Sequence, residues 1–380
     1  MTPKERMYAA IEGRGPDVWP VAASYVMLSN ADHWTELTGL PVWKYYEWLL
    51  SPDMGRYAEI SRAMYDSLQF DAVQPMSGGQ INDDGNVAIV ERGGRHLYYD
   101  KKKNEYWPVP ESIHESGSGG GENETRHIFT KRDAREKLKA VKAEQMISGG
   151  CNVYIEETIK LYGETRFVIN SGVVNTFYSN AFHVGMTELY AMLREEPELI
   201  KYISGMVLEQ NIETIRAYAA AGGDAIYIDD ATATSDMISP QMYEEFSLPY
   251  IIPQVKEIQR LGKKAILIYF GGIADRAEQI ASTGADVLMM ECSMKGYTND
   301  YEEISKKLNG RMCLAGNLNP YDDLEISSDE ALSGKIREMV DKGRAYGRYF
   351  TCTGSPITPF TTANRIKDFI ALSHMHGANR

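Results

Sequence analysis

The chain has 380 residues, 43% of them hydrophobic and 24% charged, with a formal net charge of −13. That composition supports a large packed core and excludes global disorder, and the longest basic runs, Lys101-Lys102-Lys103 and Lys263-Lys264, are too short to make a face for nucleic acid. Four cysteines (Cys151, Cys292, Cys313, Cys352) form no disulfide framework, the charged opening Met1-Thr2-Pro3-Lys4-Glu5-Arg6 is no signal peptide, and no stretch approaches the roughly 20 apolar residues of a membrane span, so a reducing, cytoplasmic setting is expected.

In chain order, Thr2 is placed to cap a first helix that Pro3 opens and Gly13 ends. An extended segment runs from Val18 to Ala23, residues 30–66 read as helices with loops, and Phe70 to Gln74 is a short strand. Residues 86–108 alternate like antiparallel strands with tight turns around Gly93-Gly94, which predicts a β-hairpin insertion. Ser116-Gly117-Ser118-Gly119-Gly120-Gly121 reads as a flexible tip rather than a domain linker. Arg166 to Asn170 is a strand, and residues 186–221 are helical with an interruption near Pro197. Regular βα units follow, with helices expected at 240–261 (capped by Ser239), 273–283, 299–308, 328–345 (Ser327 and Glu330 at capping-box spacing) and 359–371.

Strands at 18–23, 70–75, 166–170, 224–229, 264–270, 285–291, 311–316 and 347–352 make eight. Short apolar strands between amphipathic helices predict a parallel sheet covered on both faces, and eight of them predict a closed (β/α)8 TIM barrel spanning 1–380 as a single domain. An open doubly wound sheet is the alternative, but no glycine-rich dinucleotide fingerprint follows any strand. Barrel chemistry sits at the carboxyl ends of the strands. Those ends carry Asp229-Asp230, Tyr269-Phe270-Gly271-Gly272, Glu291-Cys292, Gly316-Asn317 and Cys352. Either aspartate can act as general acid or base, or cap the segment that follows. Tyr269 is a candidate to meet substrate or metal, or to pack. Asn317 either fixes its loop or touches substrate. His183 is either a hydrogen-bonded core residue or a ligand and proton donor. Tyr25, Tyr178 and Tyr269 are candidates to line an aromatic pocket. His374 and His376 read as part of an exposed polar tail, and exposed aromatic helices make a homodimer plausible.

The opening Thr2-Pro3-Lys4-Glu5-Arg6, Glu12-Gly13-Arg14-Gly15-Pro16-Asp17 and Trp19-Pro20-Val21 resemble the start of the uroporphyrinogen decarboxylase superfamily. So do Ala221-Gly222-Gly223-Asp224, Asp229-Asp230, Ile238-Ser239-Pro240 with Pro249-Tyr250, Gly284-Ala285-Asp286, Gly316-Asn317 and the tail from Cys352 to Pro359. The resemblance runs nearly the whole length and implies the same eight-stranded barrel. True decarboxylases of this kind carry Arg-Gln-Ala-Gly-Arg after the first strand to grip substrate carboxylates. Here Ala22-Ala23-Ser24-Tyr25-Val26-Met27-Leu28 holds no arginine. The resemblance therefore implies the zinc-dependent methyltransferase branch of corrinoid systems.

That branch places His-x-Cys at the fifth strand end and a further cysteine at the eighth. Cys352 falls on the last position, while Ile268-Tyr269-Phe270 replaces the first two. In the related methionine-synthase pattern a glutamate lies 61 positions before the final cysteine, as Glu291 does before Cys352. Glu291, Cys352 and, less naturally, Cys292 are thus the implied zinc ligands. Cys352 is otherwise a small buried residue, and Glu291 a partner for a backbone amide or Lys295. The implied reaction is transfer of a methyl group from a small methylated substrate, such as a methoxylated aromatic, to the corrinoid of a partner protein, with zinc as Lewis acid. Methyl-corrinoid to thiol transfer, decarboxylation of a small acid, and a non-catalytic barrel that binds a corrinoid or tetrapyrrole are the alternatives.

Overall fold

The computed structural model describes residues 1–76, 85–110, 126–294 and 296–379. The glycine-rich tip at 116–121 and Lys295 lie outside them. The barrel closes as the strand count predicts. Its first stave is the segment around Val21, which bridges Thr351 in parallel. The second is β1 (Ala72–Val73), tied to the first by Asp71 N donating to Val21 O at 2.9 Å. An antiparallel three-stranded sheet follows, β2 (Val87–Arg92), β3 (Arg95–Asp100) and β4 (Glu105–Pro108), where the hairpin insertion was expected.

The third stave is β5 (Phe167–Val168), parallel to β1, and it reaches the fourth through Ile169 opposite Ala225. It resumes as β6 (Val173–Val174) against Ile228 and Asp229. Of the three residues between, Gly172 stands directly before β6, where a Cβ would sit 2.4 Å from Tyr227 O. That close approach breaks the stave and hides β6 from sequence periodicity. β7 (Ala225–Asp230), β8 (Lys264–Tyr269), β9 (Val287–Met290), β10 (Cys313–Ala315) and β11 (Tyr349–Phe350) continue in parallel order. Each lies within two residues of its expected span.

Strand alternation sorts side chains into two cores. Ala72, Phe167, Ile169, Ala225, Tyr227, Ile266, Ile268, Val287, Met289, Cys313, Ala315, Phe350 and Cys352 fill the barrel. Ile226, Ile228, Leu267, Tyr269, Leu288, Met290, Leu314 and Tyr349 face the surrounding helices. Helix α1 (Pro3–Glu12) has the expected Thr2 cap, completed by Glu5, and Gly13 in the left-handed conformation. Its Met7 and Ile11 are fully buried in the inner cluster. Tyr8 and Lys4 both reach Asp224, just ahead of β7, at 2.9 Å. α1 therefore stoppers the amino-terminal end of the barrel.

Three local expectations need correction. The helix expected over 240–261 is two, Pro240–Phe246 and Leu248–Arg260, broken at Ser247, with Pro249 in the first turn of the second. The cap of helix Asp329–Tyr346 is Ser328, not Ser327, whose hydroxyl instead bonds Asp323 O. His374 and His376 lie on helix Ala363–Gly377 and are half-buried, His374 Nε2 meeting the buried Asp71 at 2.7 Å and His376 meeting Ser333 Oγ at 3.0 Å. Among the described residues no helix is long and apolar enough to cross a membrane.

Candidate active site

The carboxyl ends of the staves separate residues that are adjacent in sequence. On β7, Tyr227 and Asp229 share the inner face and Asp230 takes the outer one. The inner Asp229 meets a cluster of rings. Tyr25, just past the first stave, packs edge-on to Tyr227 at 6.0 Å and to Phe270 at 5.9 Å. Its backbone is left-handed (φ 49°, ψ 43°), a conformation that costs a non-glycine residue roughly 1–2 kcal/mol and persists where surroundings impose it. Burial and Asp229 together raise the Tyr25 hydroxyl well above its usual range, and the same two causes act on Tyr178 in helix Thr176–Val184.

Burial lifts the Asp229 carboxyl to about 6; Tyr25 and the Ala231 amide pull it down, and Asp230 pushes it up. The Tyr25 hydroxyl and the Asp229 carboxyl interact with each other, but Tyr25 Oη and Asp229 Oδ1 make no hydrogen bond of good geometry among the described residues, and neither does the buried Ser24 Oγ next to Tyr25 in sequence. Unsatisfied buried polar atoms are rare, and these lie at the carboxyl ends of the staves, where barrel chemistry sits.

Asp230 does not share this mouth. It is fully buried, accepts from Asn175 Nδ2 at 2.8 Å and from Ser247 Oγ at 3.1 Å, and burial raises it to about 6. Gln254 Nε2 steadies Asn175 Oδ1 at 3.2 Å, and Asn211 Nδ2 reaches Gln254 Oε1 at 3.0 Å. The helix break at Ser247 serves this network.

Tyr269 is likewise turned outward, contrary to its expected place at the mouth. Its hydroxyl donates to Ala233 O at 3.0 Å and its ring meets Tyr243 at 5.9 Å. The period of two sends its neighbours Ile268 and Phe270 inward instead. His183, at the far end of the helix that carries Tyr178, faces His127, Nδ1 to Nε2, at 3.3 Å, and burial followed by His127 lowers it to about 4. Asn317 acts as a loop staple, its Nδ2 donating to Glu291 O at 3.2 Å and Asn299 O at 3.1 Å.

Register extends from Met289–Ala315 and Ala315–Phe350 to the Leu318–Thr353 bridge. It puts Glu291, Asn317 and Cys352 on one inward row, with Glu291 and Cys352 two strands, roughly 10 Å of backbone, apart. Cys352 is fully buried and burial raises its thiol strongly. Glu291 Oε2 accepts from Tyr297 Oη. Cys292 turns away from the row: Gly354 packs on its backbone so closely that a Cβ there would lie 2.3 Å from Cys292 N, and burial, then Glu291, raises its thiol to about 11. Among the described residues no three His, Cys, Asp or Glu side chains gather to hold a metal ion. The donor set therefore does not fit the expected zinc.

Sequence reasoning missed Tyr227, Tyr297 and Ser24. Tyr227 was reachable, two positions before Asp229 and on its face. Tyr297 sits in a loop without periodicity and carries no such signal.

A family model described as "Uroporphyrinogen decarboxylase (URO-D)" matches residues 131–376. The chain is 26% identical over 228 residues to a uroporphyrinogen decarboxylase of Myxococcus xanthus, covering 59% of this chain and 62% of that one. It is 31% identical over 154 residues to one from Xanthomonas euvesicatoria, covering 40% of this chain and 41% of that one. The chain thus spans roughly two-fifths to three-fifths of these relatives' lengths. A solved methyltransferase from Methanosarcina mazei superposes with a TM-score of 0.67 over 98% of each chain at 16% identity, which shows the shared fold. By its family match, its eight-stranded barrel and its motifs, the chain belongs to the uroporphyrinogen decarboxylase (URO-D) family.

Proposed function

We propose that this chain transfers a methyl group from a small methylated substrate, of the methoxylated-aromatic kind, to the corrinoid of a partner protein. The observation that carries the proposal is the Tyr25 hydroxyl beside the raised Asp229 carboxyl, two buried groups that make no hydrogen bond of good geometry, in a mouth walled by Tyr227 and Phe270. Aromatic walls accept a flat apolar ring, and the two oxygens supply the polar contacts that orient an ether oxygen.

The methyl carbon of an ether is a poor electrophile because its leaving group is a strong base. A carboxyl near 6 keeps its proton in roughly a tenth of the molecules at neutral pH, far more than an ordinary carboxyl does, and can release it to a phenolate as that charge develops. The partner's reduced cobalt is a co-substrate whose electron pair forms the new bond to the methyl carbon. The C–O bond electrons stay on the phenolate oxygen. The Asp229 proton moves to that oxygen, and solvent later restores it to Asp229. Tyr25 donates a hydrogen bond to the same oxygen, and the ring cluster excludes water.

Decarboxylation of a small acid is the second reading, favoured by the names of the relatives. Against it stands the arginine-free segment Ala22–Leu28, which offers a substrate carboxylate no guanidinium. The test mixes the chain with a reduced corrinoid carrier and a methoxylated aromatic and follows the visible spectrum of the corrinoid. Methylation that falls at least tenfold in Tyr25→Phe and further in Asp229→Asn supports the proposal. Carbon dioxide release from a small acid without corrinoid methylation refutes it.

A further inference from the structure

We infer that the mouth of this barrel works without a resident metal, its electrophilic assistance coming from O–H donors. The inference gives chemical detail to the methyl-transfer reading and rests on it for that meaning. A catalytic zinc site needs three protein ligands and an open position. The inward positions of the fifth stave, where the resemblance implies imidazole and thiolate, are Ile268 and Phe270. Ile268 is packed in the inner cluster and Phe270 against it and Tyr25, so both present hydrocarbon to the space a cation would need.

Glu291, the implied carboxylate ligand, is held by a different device. Tyr297 donates its hydroxyl to Oε2, where a cation would bind. The loop that brings Tyr297 there is anchored from several sides. Asn299 Nδ2 donates to Gly271 O at 2.9 Å and to Glu291 O at 3.0 Å, and Asn299 N reaches Ser293 Oγ at 3.0 Å. Tyr297 Cβ presses on Gly272 so closely that a Cβ there would lie 3.0 Å from it. Cys352 is the other implied donor on the row, two strands away from Glu291. The described residues around this row thus offer a cation at most two donors, one of them already hydrogen-bonded.

The test is zinc content, which is independent of methyl transfer, so failure here and failure of the functional reading are told apart. The purified full chain is incubated with zinc sulfate, desalted and assayed by elemental analysis, beside a double variant Ile268→His with Phe270→Cys whose fold is checked by circular dichroism. The expected result is substoichiometric zinc in the natural chain and one zinc per chain in the double variant, which regains imidazole and thiolate next to Glu291 and Cys352. One tightly held zinc per natural chain, lost in Glu291→Gln or Cys352→Ala, overturns the inference. A folded double variant that also stays zinc-free overturns it too, because residues 268 and 270 would then not face the row.

Discussion

Replacing Asp229 by asparagine should stabilise the protein while removing its proposed acid. Burial lifts this carboxyl from an ordinary 3.8 to about 6, so its charged form is disfavoured by about 3 kcal/mol in the folded chain. A group raised on folding contributes fully below its unfolded pKa and loses that contribution as pH rises through the folded value. The natural chain therefore gives up about 3 kcal/mol between about pH 4 and pH 7 that a neutral amide of the same shape keeps. An unfolding entropy of about 2.1 cal/mol/K per residue over 380 residues converts this to a rise in Tm of about 4 °C. The assay is a thermal melt of both proteins in matched buffers from mildly acidic to mildly alkaline pH. The gap should be small at the acid end, open as pH rises and then level off. Equal melting temperatures at neutral pH, or a less stable variant, would refute the argument that Asp229 is a desolvated carboxylate.

Two other outcomes are expected. His183, depressed to about 4 by burial and then by His127, favours the fold above the ordinary histidine value of 6.5 and loses that contribution as pH falls through 4. His183→Gln should therefore flatten the acid limb of stability by about 1–2 kcal/mol, a figure reduced for its partial exposure, in urea titrations across that window. Gly354→Ala should destabilise by more than about 2 kcal/mol, because its Cβ would meet Cys292 N at 2.3 Å and backbone cannot yield as a flexible side chain can; chemical denaturation checks it.

The barrel was legible because its signals are local and repeated. Apolar strands between amphipathic helices, with caps such as Thr2 and Ser239, mark the elements one at a time. Closure follows from counting to eight. The site was legible only down to the strand end, not to the side chain. Asp229 and Asp230 are equal in sequence, and so are Ile268, Tyr269 and Phe270; a one-residue uncertainty in where a strand begins exchanges inward for outward. The buried network around Asp230 draws on Asn175, Asn211, Ser247 and Gln254, contacts that no spacing rule announces. Tyr297 depends on a loop conformation, and the break at Ser247 on a tertiary hydrogen bond, so propensity alone runs the helix through.

Met7 and Ile11 cork this vessel at its amino-terminal end. A ligand held against Asp229 would then come and go by the rim, and under the proposed reaction a carrier protein delivering a bulky cofactor would have to stand in that same doorway. Under that reaction turnover would be sequential: the small molecule would enter first, the carrier would shut it in, and the spent remnant would stay until the carrier departs. Steady-state kinetics should then show a compulsory order, with excess carrier slowing release of the small product.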